Sequence, residues 1–135
     1  MKFRLFKYIV MILFAFTIWN CDDEVTGLSP TEEMIYRQIA FKSLTDDEQS
    51  SLSVNWEEAP VIRGFYSGND SKNIFKEIDS ELEYQFLISD DNVVLLDNQL
   101  LIRILFNTEN DALLGPIILF VNPKTMSVIG FLPRF

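Results

Sequence analysis

The sequence predicts an α+β domain in which an N-terminal amphipathic helix packs on an antiparallel sheet of four or five strands. After a helix-start signal at Ser29, apolar residues recur at helical spacing. From Trp56 onward they recur at every second residue, as in strands that bury one face. Turn-forming residues separate these strand-like segments, which favours antiparallel pairing and a helix-on-sheet layer architecture.

The helix is predicted from Pro30 to Ser43. In Ser29-Pro30-Thr31-Glu32 a serine takes the N-cap, a proline the first helical position and a glutamate the third, which is a capping box. The side expected to be buried carries Ile35, Tyr36, Ile39, Ala40 and Leu44. A second capping box, Thr45-Asp46-Asp47-Glu48, predicts a short helical turn through about Leu52, with Leu44 as its hydrophobic staple.

The first half of the sheet is the less regular one. Pro60 interrupts Glu58 to Phe65, so we expect it to start that strand or to lie on an edge. Ser67 to Asp70 predicts a turn, and Ser71 to Asp79 is interpreted as a short helix or an irregular excursion. Glu81 to Ser89 alternates as a half-buried strand. Its apolar face is Leu82, Tyr84, Phe86 and Ile88.

The second half alternates more clearly. Val93 to Leu96 predicts a brief strand between two turns, and Gln99 to Asn107 predicts a longer one whose second face is interrupted by Arg103. The apolar face of the longer strand is Leu100, Ile102, Ile104 and Phe106. A closing hairpin is predicted from Ile117–Val121 and Ser127–Leu132, with its turn at residues 122–125.

Residues 1–20 have the proportions of a secretory signal. Lys2, Arg4 and Lys7 precede an uncharged run that ends at Trp19. The stretch Phe16-Thr17-Ile18-Trp19-Asn20-Cys21 resembles a bacterial lipoprotein signal peptide, with Asn20 where a smaller residue is usual. The resemblance implies that Cys21, the single cysteine, carries acyl chains such as palmitate and becomes the mature N-terminus.

An uncleaved anchor and ordinary secretion are the alternatives to lipidation. The uncharged run of residues 8–19 is short for a membrane span, which needs roughly 20 apolar residues. An unpaired thiol in an oxidising compartment also argues against plain secretion. These considerations favour the lipoprotein interpretation.

The acidic triplet Asp22, Asp23 and Glu24 resembles the tag that exports some Gram-negative lipoproteins to the outer surface of the outer membrane. The alternative is that these acids simply begin a solvated tether, which we predict over residues 21–29. Residues 30–135 are then a single globular domain.

The chain is strongly acidic, with eleven bases, twenty acids and a formal charge of −9. Three of the bases lie in residues 1–20, so the remainder carries eight bases against twenty acids, or −12. Such a surface repels nucleic acid and anionic headgroups. The expected contacts are the membrane, through the N-terminal lipid, and an envelope protein partner.

The segment Ile118 to Gly130 is similar to the closing hairpin of PepSY-type domains, small secreted modules that end in a strand, a D-P-x-T-G-like turn and a second strand. Asn122 stands where aspartate is usual and Met126 where glycine is usual. The resemblance implies a PepSY-like topology and a non-catalytic binding or inhibitory role. The helix-then-sheet order agrees equally with a cystatin-like topology.

Residues suited to catalysis are few. The chain has no histidine, which rules out histidine acid–base chemistry and histidine-ligated metal sites. Asp46, Asp47 and Glu48 are explained by helix capping, and Asp90-Asp91-Asn92 with Asp97 lacks the glycine and glutamate of an EF-hand. We therefore predict no catalytic, cofactor or metal site.

Two further features suit either binding or a structural role. Trp56 suits either a ligand platform or a core plug. The connection from Thr108 to Gly115, centred on Asp111, suits either a binding loop or a structured link. The favoured function is a lipid-anchored envelope lipoprotein with a non-catalytic binding domain; the alternatives are a small envelope hydrolase using paired carboxylates and a purely structural lipoprotein.

Overall fold

Helix α1 spans Pro30–Ser43 in the computed structural model, which describes residues 27–135. The predicted capping box is confirmed: Glu32 N–H donates to Ser29 Oγ (3.2 Å) and Ser29 N–H donates to Glu32 Oε2 (2.9 Å). The predicted buried side is correct except for Ile35, which is 40 % exposed. It lies at the margin of the apolar stripe, so the sheet does not cover it.

The second capping box also forms, and α2 spans Asp46–Ser50. Glu48 N–H donates to Thr45 Oγ1, and Thr45 N–H donates to Glu48 Oε2. The helical turn ends before Leu52, which makes an isolated bridge with Thr108 instead. A 3-10 helix at Trp56–Glu58 then leads into the sheet.

The sheet has six strands, so the prediction of an α+β domain with a helix on an antiparallel sheet is confirmed, while the predicted four or five strands are too few. They are β1 Val61–Asn69, β2 Lys72–Glu77, β3 Glu83–Ile88, β4 Leu100–Phe106, β5 Ile117–Asn122 and β6 Ser127–Phe131, with helix α3 at Asp111–Leu114. Their order is β1-β2-β3-β6-β5-β4, and β1 also pairs with β4. The sheet therefore closes on itself.

The additional strand is β2, where a helix or an irregular segment was expected. The turn before it falls at Asp70 and Ser71, whose φ angles are 48° and 64°. Asn69 pairs with Lys72 across this two-residue loop. A type I′ hairpin turn needs positive φ at both central residues, a conformation usually supplied by glycine, asparagine or aspartate. Because an aspartate and a serine hold it here, the sequence pattern predicts the turn too early, at Ser67 to Asp70.

The strand predicted at residues 93–96 does not form. This segment is extended but pairs with no strand among the described residues. Val93 and Leu95 pack against the interior of the closed sheet, whereas Val94 is 80 % exposed. The alternation at residues 93–96 therefore comes from an unpaired extended segment whose alternate side chains cover the interior of the closed sheet.

Two apolar cores result, one on each side of the strands. The outer core joins α1 to β4 and β5 and contains Tyr36, Ala40, Leu44, Ala59, Ile102, Ile104, Phe106, Ile117, Leu119 and Val121. The inner core fills the closed sheet with Tyr66, Phe75, Phe86, Leu101, Phe120 and Ile129. Strand β4 contributes to both cores, which explains why its two faces are apolar.

Candidate functional site: an apolar groove beside α1

A groove of about 540 Å³ lies between the C-terminal end of α1 and the outer face of β5 and β6. Its apolar walls are Leu44, Ile117, Leu119, Val128, Phe131 and Leu132. Ligand pockets are typically concave, mostly apolar and roughly 300–1,000 Å³ in volume. This groove falls within that range of volume, and its lining is mostly apolar.

The register of the last hairpin builds the groove. Leu119 lies opposite Phe131 and Val121 lies opposite Val128, with a bulge between Phe120 and Val121 that restores the outward face. Helix α1 ends at Ser43, before it can cover this face completely. As a result Phe131 remains 38 % exposed although it lies next to the buried Leu119.

Two charged side chains, Glu48 and Arg134, also line the groove. Glu48 is already engaged, since its carboxylate accepts hydrogen bonds from Thr45 N–H and Oγ1. Arg134 donates from Nε to Gly115 O and from Nη2 to Thr108 Oγ1, both at 2.9 Å. These bonds fix the guanidinium and the chain end at one wall of the groove.

The Thr108–Gly115 connection is a structured link that supports Arg134. Asp111 Oδ1 accepts hydrogen bonds from Thr108 N–H (2.8 Å) and Thr108 Oγ1 (2.7 Å). Thr108 is buried, so its hydroxyl is held between Asp111 and the guanidinium. This connection reaches the groove only through Arg134.

Trp56 packs rather than standing free. Its ring stacks on Phe41 with centroids 5.0 Å apart, and it lies against the outer core. The pair borders a shallow hollow of about 290 Å³. This agrees with the core-plug interpretation of Trp56.

A third hollow, of about 300 Å³, lies where β1 begins and β2 ends, and it contains the carboxylates of Glu33, Glu77 and Asp79. Glu33 pairs with Arg37 at 3.2 Å, and Glu77 pairs with Arg103 at 2.9 Å. Over residues 27–135, no three side chains of metal-ligating type are grouped as a metal site would require. Two of the three carboxylates are thus held by cations of the fold.

Asp90 caps its own turn, and Asp97 bonds to the backbone of β1. Asp90 Oδ1 accepts from Asn92 N–H, and Asp97 Oδ1 accepts from Gly68 N–H, each at 2.9 Å. The predicted lipidation residue Cys21 and the predicted export tag Asp22, Asp23 and Glu24 lie outside the described residues.

The groove was not identified from the sequence. Phe131 falls within the predicted closing strand Ser127–Leu132, and sequence patterns give it no binding role. The sequence feature that points to the groove is the alternation of the closing strand, which places Phe131 on its outward face. Phe131 lies opposite Leu119 there, and the 14-residue helix α1 is the element available to cover this face. That α1 does not cover this face completely depends on tertiary packing.

Comparison of the chain with protein-family models, with curated proteins and with solved structures gave no match. Among residues 27–135, no helix has the length and apolar character that crossing a bilayer needs.

Proposed function

We propose that this protein is a lipid-anchored lipoprotein of the cell envelope whose domain binds an apolar ligand in the groove beside α1, without catalysis. The observation that carries the binding role is the apolar groove, with its walls from Leu44, Leu119 and Phe131. Burial of such walls by a ligand is worth roughly 25 cal/mol per Å². A groove of this kind supplies affinity without reactive groups.

The anchor rests on Cys21 and the residues before it. A basic start, an uncharged run and a lone cysteine form the lipoprotein pattern. Two or more acyl chains hold a protein stably on a membrane, whereas one gives only marginal binding. The acids at 22–24 favour the outer face of the outer membrane, and the overall negative charge keeps the domain off anionic headgroups.

The finer topology is also part of this proposal. The closing hairpin β5–β6 has its turn at the Asn122-Pro123 position on which the PepSY-type resemblance rests. A PepSY-like or cystatin-like arrangement would agree with a non-catalytic binding or inhibitory role. A solved structure that supports either topology would have to share the closed order of six strands.

The anchor is tested by metabolic labelling with a fatty-acid probe. We expect label on the wild type and none on Cys21→Ala, because the thiol is the acylated group. Protease shaving of intact cells then reports the membrane face, and digestion without lysis supports surface exposure. Label that persists in Cys21→Ala would disprove the anchor.

The groove is tested with N-phenyl-1-naphthylamine, a neutral dye that fluoresces in apolar sites. Residues 21–135 with Cys21→Ser, free of lipid and detergent, should bind the dye saturably. Ser89 is exposed and lines the groove, so Ser89→Trp should fill it and abolish the signal. Asp91→Trp adds the same ring at an exposed position outside the lining and should bind the dye like the wild type. Equal dye binding by both variants would remove the groove from the proposal.

The carboxylate hydrolase is supported less well. Its best location is the hollow with Glu33, Glu77 and Asp79, but ion pairs engage the first two. A general acid or base must reach a substrate proton directly or through one water. Hydrolysis of a glycoside by the wild type but not by Asp79→Asn would establish this alternative.

A further inference from the structure

Strand β3 has one edge that the closed sheet leaves partly open. β6 meets β3 at only two residue pairs, Leu87–Phe131 and Ile88–Gly130, whereas β1 and β2 share six. Past this junction Leu132 N–H donates to Ile118 O, and Arg134 bonds to Gly115 O. The chain end therefore follows β5, and the seam between β3 and β6 opens toward Glu83.

The alternation of hydrogen bonds shows which backbone groups face that opening. Glu77 N–H donates to Leu82 O, so in this antiparallel ladder the pairs Phe75–Tyr84 and Asn73–Phe86 exchange the next bonds. The N–H and C=O groups of Glu83 and Gln85 consequently point away from β2. No strand within residues 27–135 pairs with these two residues on that side.

We propose that the open edge of β3 binds an extended, lysine- or arginine-bearing segment of a partner protein as an added strand. Main-chain hydrogen bonds to Glu83 and Gln85 would supply the pairing, as in other cases of strand addition. The edge of β3 is a second surface, separate from the groove, and its partner differs in chemistry from an apolar ligand.

Charge decides the kind of segment. Glu81 and Glu83 lie at the open end of the edge, and both are exposed. Lys76 pairs with Glu83 at 3.1 Å and partly offsets that carboxylate, whereas no base of residues 27–135 pairs with Glu81. Cross-strand pairs of opposite charge are favourable and pairs of like charge are unfavourable. A basic segment is therefore the complement of this edge.

The same charges argue against a second copy of this chain as the occupant. Antiparallel pairing of two β3 edges through Glu83 and Gln85 would set Glu83 of each copy opposite Gln85 of the other, with the two Glu83 carboxylates as diagonal neighbours. Charged residues on edge strands are a known device against such self-association. The exposed Leu87, beside Phe131, remains available for an apolar side chain of the added strand.

The probe is a fluorescein-labelled heptapeptide of alternating lysine and valine, titrated by anisotropy against the full chain in phosphatidylcholine nanodiscs. The protein variants are Gln85→Pro, which deletes the outward N–H, and its matched control Gln85→Ala, which keeps it. Because residue 85 does not donate to β2, the proline leaves that ladder's bonds intact. We expect the peptide to bind the wild type and Gln85→Ala saturably. Its affinity for Gln85→Pro should be lower than for the wild type by a factor of about ten or more.

Two peptide controls keep the test decisive if Gln85→Pro fails to fold by circular dichroism. The heptapeptide methylated on alternate backbone nitrogens and its glutamate-for-lysine analogue should both bind the wild type at least about tenfold more weakly. Equal affinity for the methylated peptide, or no saturable binding of the lysine peptide, would overturn the proposal.

Light scattering tests whether a second copy occupies the edge instead. A wild-type dimer that Gln85→Pro abolishes would assign the edge to a second copy and overturn the proposal of a basic partner segment. Naphthylamine binding and Cys21 labelling should be unchanged in Gln85→Pro, so failure here is separable from failure of the groove or anchor.

Discussion

Arg103 and Glu77 form an ion pair inside the closed sheet, with Arg103 Nη1 2.9 Å from Glu77 Oε1. Their side chains are 10 % and 11 % exposed, and the guanidinium lies 4.6 Å from the centre of the Tyr84 ring. β4 and β2 are not neighbours, since β1 lies between them. The pair therefore links two strands that share no hydrogen bonds, and one buried nitrogen, Arg103 Nε, has no partner among the described residues.

Removing one member of this pair should cost more than removing both. Glu77→Leu leaves a buried guanidinium without its carboxylate, and such losses amount to about 3–5 kcal/mol of unfolding free energy. In Arg103→Met/Glu77→Leu no buried charge remains, so the stability should return to within about 1 kcal/mol of the wild type, or exceed it. Urea unfolding of the single and double variants measures this. Additive losses in the double variant would contradict it.

Gly64→Ala should destabilise the closed sheet. An added Cβ would overlap Phe75 Cζ and Lys76 O, and the second contact is with backbone that cannot rotate away. Overpacking of a tight core typically costs about 1–3 kcal/mol, and this substitution belongs at or above the upper end. Gly27→Ala is the control, because nothing lies within 4 Å of its added Cβ. Equal urea midpoints for Gly64→Ala and Gly27→Ala would show that the inner core rearranges to accommodate the added methyl group.

Local signals in the sequence predicted much of this fold. Both capping boxes formed because they need only residues three positions apart, and the alternation around Arg103 placed the two faces of β4 correctly. The closure did not follow from the sequence, since it depends on Gly64 admitting Phe75 and on the short contact of Gly130 with β3. Strand β2 was missed because its turn uses Asp70 and Ser71 at positive φ.

The candidate site was less accessible to prediction. Periodicity shows that Phe131 faces outward, but it does not show that α1 ends too early to cover it. The open edge of β3 likewise depends on where Arg134 anchors the chain end, a contact between residues far apart in sequence. The groove and the open edge of β3 both exist because a neighbouring element ends before it covers them. A local sequence pattern does not predict such an end point.

Ser29→Ala should destabilise α1 by about 1 kcal/mol, because Glu32 N–H loses its acceptor at the N-cap. Ser29→Asp retains an acceptor and should stay within a few tenths of a kcal/mol of the wild type. Thermal and urea unfolding measure both variants. If the aspartate variant loses as much as the alanine variant, the cap is not the source of the effect.

Arg134→Ala should loosen the chain end and reshape the groove. The variant loses the hydrogen bonds to Gly115 O and Thr108 Oγ1, and bonds from a charged donor contribute about 1.5–3 kcal/mol each where they are shielded from water. Since Arg134 is only partly buried, the total loss should fall near the lower end of that range. Hydrogen exchange at Leu132 N–H should accelerate. Unchanged exchange there would show that the tail is held by other contacts.

The stability of the domain should fall in alkali partly through Tyr66. Burial, reinforced by the charge of Asp97, raises the pKa of Tyr66 above its usual value of 10.0, and its hydroxyl donates to Asn73 Oδ1 at 2.8 Å. Above about pH 10 the unfolded chain releases this proton while the folded protein still holds it, so unfolding becomes progressively more favourable until the folded pKa is passed. Tyr36, whose pKa is raised by burial and then by Glu32, acts in the same direction.

Tyr66→Phe should therefore flatten the decline in unfolding free energy above about pH 10, while between about pH 7 and pH 9 it shows only a constant offset from the lost hydrogen bond. Tyr36→Phe should flatten the same limb independently, because the two rings belong to different cores. Urea unfolding at a series of pH values measures both effects, and ultraviolet titration of tyrosinate gives the folded pKa directly. An alkaline limb as steep in Tyr36→Phe/Tyr66→Phe as in the wild type would assign the loss of stability to other groups.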